Sequence, residues 1–244
     1  MTPTIVLVHG AYHDGSCWSL VQDRLTRAAI VNYAVNLPFD SFAGDCAAVR
    51  AAVTAAKANG PVLLVGHSYS GLVVSAAGHA ADRLLYVAAR MPAAGEIPAD
   101  RTEGWTLSGF RAAVTATPDG GTMLSPSAAE LLYNTTDPTL RHSAQQAWRP
   151  MRSEVPVHPI PDPAWTRVRT RYVVCAQDRV VNVAAQRAVA ARADDASAID
   201  CDHSPFLSAP AELAAIVERE VSAISAKPAS DRFTTQLPQP TRSR

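Results

Sequence analysis

Charge is scarce in this 244-residue chain: 18% of residues are Asp, Glu, Lys or Arg, and the 22 acidic side chains cancel the 22 basic ones. No basic stripe appears, which argues against a nucleic-acid or anionic-membrane partner. No apolar run approaches the ~20 residues of a membrane span. The chain reaches an apolar strand by Ile5 with no basic, signal-like segment before it. The four cysteines, Cys17, Cys46, Cys175 and Cys201, show no C-x-x-C spacing. Without a secretory signal they read as reduced, mostly buried thiols of a cytosolic, hence cytoplasmic, protein rather than as disulfides. Hydrophobic residues make up 48% of the chain, enough to fill a core, and an α/β fold of this length often forms one domain.

Read in order, Ile5–Val8 is a continuous apolar run, as expected of a strand buried on both faces of a parallel sheet. A loop with two glycines follows, His9 to Gly15, and then Trp18, Val21, Leu25 and Ala28 at helical spacing. Asn32–Leu37 reads as a strand, and Ala43–Ala58 as a helix stopped by Asn59-Gly60. Pro61–Val65 and Arg83–Ala88 are further buried strands. From about 93 to 163 Pro, Gly, Ser and Thr dominate, with one clear helical piece at Ser127–Tyr133 and another expected near Pro138–Trp148. This stretch reads as an insertion serving as a helical lid. Arg171–Ala176, Val183–Ala193, Ser197–Asp200 and Ala209–Ile224 restore the strand and helix alternation. The expectation is one domain over 1–224, a mostly parallel, doubly wound α/β sheet, and a disordered tail over 225–244.

The stretch Val65-Gly66-His67-Ser68-Tyr69-Ser70-Gly71 joins a buried strand to a small-residue helix almost without a turn. A serine there is held with strained backbone angles, clear of the sheet edge, with a helix N-terminus behind it to favour developing negative charge. Ser68 is therefore the candidate nucleophile. A serine hydroxyl needs a base, and the base needs a third group to orient it. Asp178 and His203 each leave the carboxyl end of a strand, 25 residues apart, with room for one helix and one strand between them. In this reading Ser68 attacks, His203 carries the proton and Asp178 fixes the imidazole. Asp202 is the rival acid, although a residue adjacent to the histidine has to fold back onto the ring. Two backbone N–H groups are expected to hold the oxyanion, those of Tyr69 and Ala11. His9 and His13 invite a metal reading, but no ligand set accompanies them. His67 reads as packing beside the elbow, and Asp14 and Asp200 as solvated loop carboxylates.

These motifs together resemble the α/β-hydrolases, in particular the small esterases that include plant methylesterases, hydroxynitrile lyases and bacterial pyrethroid-type esterases. The matching pieces are Val8-His9-Gly10-Ala11-Tyr12-His13 with Cys17-Trp18, the elbow, Cys175-Ala176-Gln177-Asp178-Arg179, and Asp202-His203-Ser204-Pro205-Phe206. Leu132-Tyr133-Asn134 with Asp137-Pro138 is similar to the lid of bacterial members. The resemblance runs from about residue 4 to 222 and includes the order Ser…Asp…His. Two departures stand out: Ser70 in place of the group's common glycine, and Ser204 where its lyases carry a lysine.

The resemblance implies a serine hydrolase that cleaves a small carboxylic ester through an acyl-enzyme, with no cofactor and no metal. A homodimer is compatible with the sequence. Candidate substrate contacts are Tyr12, Trp105, Tyr133, Trp148 and Phe206, with Trp18 and Phe110 as further aromatic neighbours. Two other functions share the fold: a lyase or isomerase-type biosynthetic tailoring enzyme, and a non-catalytic ligand-binding homologue. With no cation after His203, hydrolysis is expected over cyanohydrin cleavage. Ser68 at the elbow excludes the aspartate chemistry of epoxide hydrolases and dehalogenases.

Overall fold

In the computed structural model residues 2–226 are described. The tail expected over 225–244 lies outside the described residues from 227 onward. The chain runs β1 (Thr4–Val8), α1 (Ser19–Arg27), β2 (Asn32–Val35), α2 (Phe42–Lys57), β3 (Val62–His67), α3 (Ser70–Ala77) and β4 (Arg83–Val87). The insertion follows, with α4 (Thr102–Trp105), α5 (Ser108–Ala112), the strands β5 (Val114–Ala116) and β6 (Thr122–Leu124), α6 (Ala129–Leu132) and α7 (Pro138–Gln146). Then come β7 (Thr170–Cys175), α8 (Val183–Ala190), β8 (Asp195–Ile199), α9 (Pro205–Ser208) and α10 (Pro210–Ser225).

Six strands form one sheet in the order β2-β1-β3-β4-β7-β8, and every pairing in it is parallel. Parallel strands need crossover helices on both faces, so the central strands are apolar along most of their length. β1, β3 and β4 are buried at every residue. Side-chain alternation divides the core in two. Val6, Leu64, Leu84 and Tyr172 pack with Val49, Val53, Leu72 and Val73 of α2 and α3. Ile5, Leu63, Leu85 and Val173 pack with Val21, Leu25, Leu213 and Val217 of α1 and α10. Burying each such side chain contributes about 1.5–3 kcal/mol.

At the amino edge of the sheet Glu220 of α10, 1% exposed, is gripped by two arginines. Arg83 Nε donates to its Oε2, and Arg171 Nε donates to Oε1 across 2.5 Å. A charge this deep is tolerable only because both carboxylate oxygens are paired.

The insertion departs from its sequence pattern. Ser127–Tyr133 forms only a 3-10 turn and the four-residue α6, whereas α7 is the longer helix. Asp137 decides that difference: its side chain accepts from the Thr139 and Leu140 N–H groups, with Pro138 opening the helix. β5 and β6 pair antiparallel, a hairpin not expected in so polar a stretch. Gly120, at φ 84°, supplies the left-handed residue of its turn.

Candidate active site

The carboxyl ends of β3, β7 and β8 carry the three candidate catalytic residues. Ser68 leaves β3 with φ 54°, in the left-handed region that a side chain disfavours. Its N–H donates to Val87 O at 3.1 Å, and its carbonyl accepts from Gly71 N and Arg90 N, so the strained turn is fixed on both sides. The small neighbours are required by contact. A Cβ on Gly66 stands 2.6 Å from Val74 Cγ2, and one on Gly71 stands 2.1 Å from Arg90 O. Ser70 is accommodated at the elbow because its hydroxyl lies 3.0 Å from Val8 O and 2.9 Å from His67 O.

Ser68 Oγ lies 2.9 Å from His203 Nε2, and His203 Nδ1 lies 2.6 Å from Asp178 Oδ2. Nδ1 facing a carboxylate carries the proton, which leaves Nε2 free to accept from the serine. Asp178 Oδ1 accepts the N–H groups of Val180 and Val181 at 2.7 and 2.8 Å. Gln186 Nε2 donates to Oδ2 at 2.7 Å, completing the coordination of that carboxylate. The rival acid, Asp202, points elsewhere: its carboxylate accepts from Thr135, Thr136, Ser204 and Ser208.

Ala11 and Tyr69 both border Ser68 in one cavity of about 460 Å³. Among the described residues neither backbone N–H has a hydrogen-bond partner within the fold. The Tyr69 phenol turns away and donates to the buried Asp45 at 2.8 Å. Gly10 lets the loop approach: a Cβ there stands 2.7 Å from His67 Nδ1 and 3.0 Å from Ser68 Cβ.

Apolar side chains from the insertion and from the Asp178 loop form much of the cavity wall, Trp105, Phe110, Met151 and Val181 among them. Of the expected substrate contacts, Tyr12 and Trp105 line it. Tyr133, Trp148 and Phe206 do not; all three are buried behind the site. Tyr133 and Trp148 share a hydrogen bond, and Phe206 packs on Trp18 and His67.

Three histidines around the site are neutral. Burial holds His9 and His13 at about 4 and lowers His67 well below the usual range. His9 Nδ1 donates to Gly10 O while Nε2 accepts from Leu37 N, a structural role in the loop. His67 donates through Nε2 to His203 O at 2.7 Å. Among the described residues no three His, Cys, Asp or Glu side chains are grouped to hold a metal ion. No described helix is long and apolar enough to cross a membrane.

Sequence reasoning missed Arg90. It follows β4, lines the cavity, and stacks its guanidinium 5.8 Å from the Trp105 ring centroid. Burial lowers its pKa to about 10, with Glu96 opposing, so it stays cationic at neutral pH. Its position past a strand's carboxyl end was the available signal. Arg179, in contrast, is exposed and does not line the cavity.

A parallel sheet with a serine elbow and a neighbouring histidine and carboxylate is the architecture of the α/β hydrolases. The chain belongs to the alpha/beta hydrolase family, whose model matches residues 5–216. It is 26% identical over 238 residues to the alpha/beta hydrolase nvfD of Aspergillus novofumigatus, covering 86% of this chain and 93% of the relative. The methylesterase MES16 from Arabidopsis is similar in structure, with a TM-score of 0.72 and 22% identity over 90% of this chain and 99% of that one. A pyrethroid hydrolase from Sphingobium faniae gives a TM-score of 0.75 at 20% identity, covering 91% and 98%. Tomato methylketone synthase I gives 0.73 at 17% identity, covering 92% and 99%. These structural likenesses show the fold the chain shares with them.

Proposed function

We propose that the protein is a serine hydrolase of small carboxylic esters. The observation that carries this reading is the continuous hydrogen-bonded chain Asp178–His203–Ser68, with the proton on His203 Nδ1. Ser68 Oγ attacks the ester carbonyl and its proton passes to His203 Nε2. Asp178 stabilises the imidazolium so formed. The tetrahedral oxyanion is held by the unpartnered N–H groups of Ala11 and Tyr69 at the N-terminus of α3. His203 returns the proton to the departing alcohol, then activates a water that releases the acid and restores Ser68.

The insertion over 93–163 acts in this reading as a lid, because Trp105, Phe110 and Met151 roof the cavity above Ser68. Those apolar walls suit a compact aryl or alkyl ester. The lyase reading is disfavoured because Ser204, which carries no charge, follows His203; Arg90, a cation that lines the cavity, comes from the end of β4 and stacks on Trp105.

Short-chain aryl esters test the proposal. Hydrolysis is expected with an initial burst of one alcohol per active site, and mandelonitrile is expected to release no cyanide above background. Inert esters together with cyanide release that Ser68→Ala abolishes overturn the reading.

A further inference from the structure

Four consecutive residues of the insertion, Tyr133-Asn134-Thr135-Thr136, connect to three loops of the candidate active site. Each connection lands on or beside a residue to which a catalytic role is assigned above.

Tyr133 reaches the loop of Ala11. Its hydroxyl lies 2.7 Å from His13 Nε2 and accepts from Trp148 Nε1 at 2.8 Å. His13 Nδ1 faces the Ala11 carbonyl at 2.8 Å, and a carbonyl only accepts, so Nδ1 holds the ring proton. With His13 held neutral at about 4 by burial, Nε2 is an acceptor and Tyr133 donates to it. All protons in the chain Trp148→Tyr133→His13→Ala11 O therefore run one way, and no member is free to reorient alone.

Asn134 Nδ2 donates to the carbonyl of Gln177, the residue before Asp178, at 3.1 Å. Thr135 and Thr136 reach Asp202, the residue before His203. Thr135 N and Oγ1 donate to Asp202 Oδ2 at 3.0 Å each, and Thr136 Oγ1 donates to the same oxygen at 2.8 Å. Asp202 N donates back to Thr135 Oγ1 at 3.1 Å, and the other oxygen, Oδ1, accepts from Ser204 N and Ser208 Oγ. Asp202 is fully buried, and five donors satisfy its carboxylate.

We infer that residues 133–136 form a positioning clamp, a single strap that fixes the loops of the oxyanion donor, the acid and the base relative to one another. None of its four residues lines the cavity, so its effect is expected on catalytic geometry more than on substrate binding. The catalytic consequence rests on the serine-hydrolase reading above; the geometric one does not.

Tyr133→Phe and Thr136→Val each remove one hydroxyl of the clamp and keep the side-chain shape. Thr136→Ser restores the hydroxyl, and Val157→Ala alters an insertion side chain that is 60% exposed and outside these bonds. Turnover of an aryl ester is measured per site titrated with a fluorophosphonate, so that misfolded protein is not counted. Because small misplacements of catalytic groups are costly, Tyr133→Phe and Thr136→Val are expected to lower kcat about tenfold with KM within about twofold. Thr136→Ser and Val157→Ala are expected to stay within about twofold of the parent in both constants. Independently of turnover, the proton NMR signal of His203 Nδ1–H is expected to shift in Thr136→Val and return in Thr136→Ser. An unchanged kcat per titrated site, or an Nδ1–H signal identical in all variants, overturns the clamp. A parent protein that neither labels nor hydrolyses refutes the hydrolase reading instead, and the NMR comparison still decides the clamp.

Discussion

Gln186 bridges Asp178 to the sheet: its Nε2 donates to Asp178 Oδ2 at 2.7 Å, while its Oε1 accepts the Cys175 N–H at 3.0 Å. The amide is fully buried, so both of its ends are committed. Gln186→Leu leaves the Cys175 N–H unpaired and removes one donor from the carboxylate. A stability loss of about 1–3 kcal/mol is expected from that orphaned donor. kcat is expected to fall about tenfold with KM little changed, because Asp178 loses its orientation. Gln186→Glu sets a second carboxylate against the first and is expected to be worse in both respects. Chemical unfolding and steady-state kinetics on the two variants check this.

Acid weakens the fold through the buried histidines. His9 and His13 are held at about 4, and His67 is lowered well below its usual 6.5, burial being the largest cause in each. A depressed folded-state pKa means that the unfolded chain binds these protons first. The stabilisation is thus complete above about 6.5 and is lost as pH falls from there toward about 4. Each histidine contributes a slope of about 1.4 kcal/mol per pH unit within that window. Urea unfolding followed from neutral to acid pH is expected to show a steep decline with uptake of about three protons. A flat profile down to pH of about 5 contradicts these burial assignments.

Gly71→Ala is expected to damage the site more than its size suggests. The added Cβ stands 2.1 Å from the Arg90 carbonyl, and backbone cannot swing aside as a side-chain tip can. Arg90 N donates to Ser68 O, so moving that segment disturbs the nucleophile turn as well. Overpacking of this kind costs about 1–3 kcal/mol. Melting temperature and ester turnover are both expected to drop.

At the far edge of the sheet, Glu220→Ala empties a buried position and leaves Arg83 and Arg171 with Asp195, at 3.5 and 3.8 Å, as a remaining carboxylate partner. Because Asp195 still compensates part of the arginines' charge, a loss at or below the low end of about 3–5 kcal/mol is expected. The site lies at the opposite end of the strands, so kcat of the folded fraction is expected to hold. Unfolding in denaturant, alongside turnover per titrated site, separates the two effects.

Much of this was legible in the sequence for local reasons. Ile5–Val8 and Pro61–Val65 announce buried parallel strands by unbroken apolar runs, and the Gly66–Ser70 spacing announces the elbow. Ser68, Asp178 and His203 are brought together because each follows the carboxyl end of such a strand. What stayed hidden depends on contacts distant in sequence. Asp202 looked like a second acid because adjacency to His203 is visible, whereas its partners Thr135 and Thr136 lie 67 and 66 residues away. Tyr133 and Trp148 looked like pocket aromatics because hydrophobicity is visible. Their mutual hydrogen bond and the link to His13, 120 residues upstream of Tyr133, are not. The β5–β6 hairpin has strands of only three residues each, too short for an alternating pattern to stand out, and its pairing runs through the turn at Gly120.

The claim on which the rest depends is that Ser68 is the nucleophile activated by His203. A fluorophosphonate probe, followed by peptide mapping of the labelled protein, tests it directly. Label is expected on Ser68 alone, absent in Ser68→Ala and slowed in His203→Ala, with ester turnover reduced about 10³-fold or more in each variant. Label that persists in Ser68→Ala, at Ser70 for instance, or turnover that survives the substitution, contradicts the account.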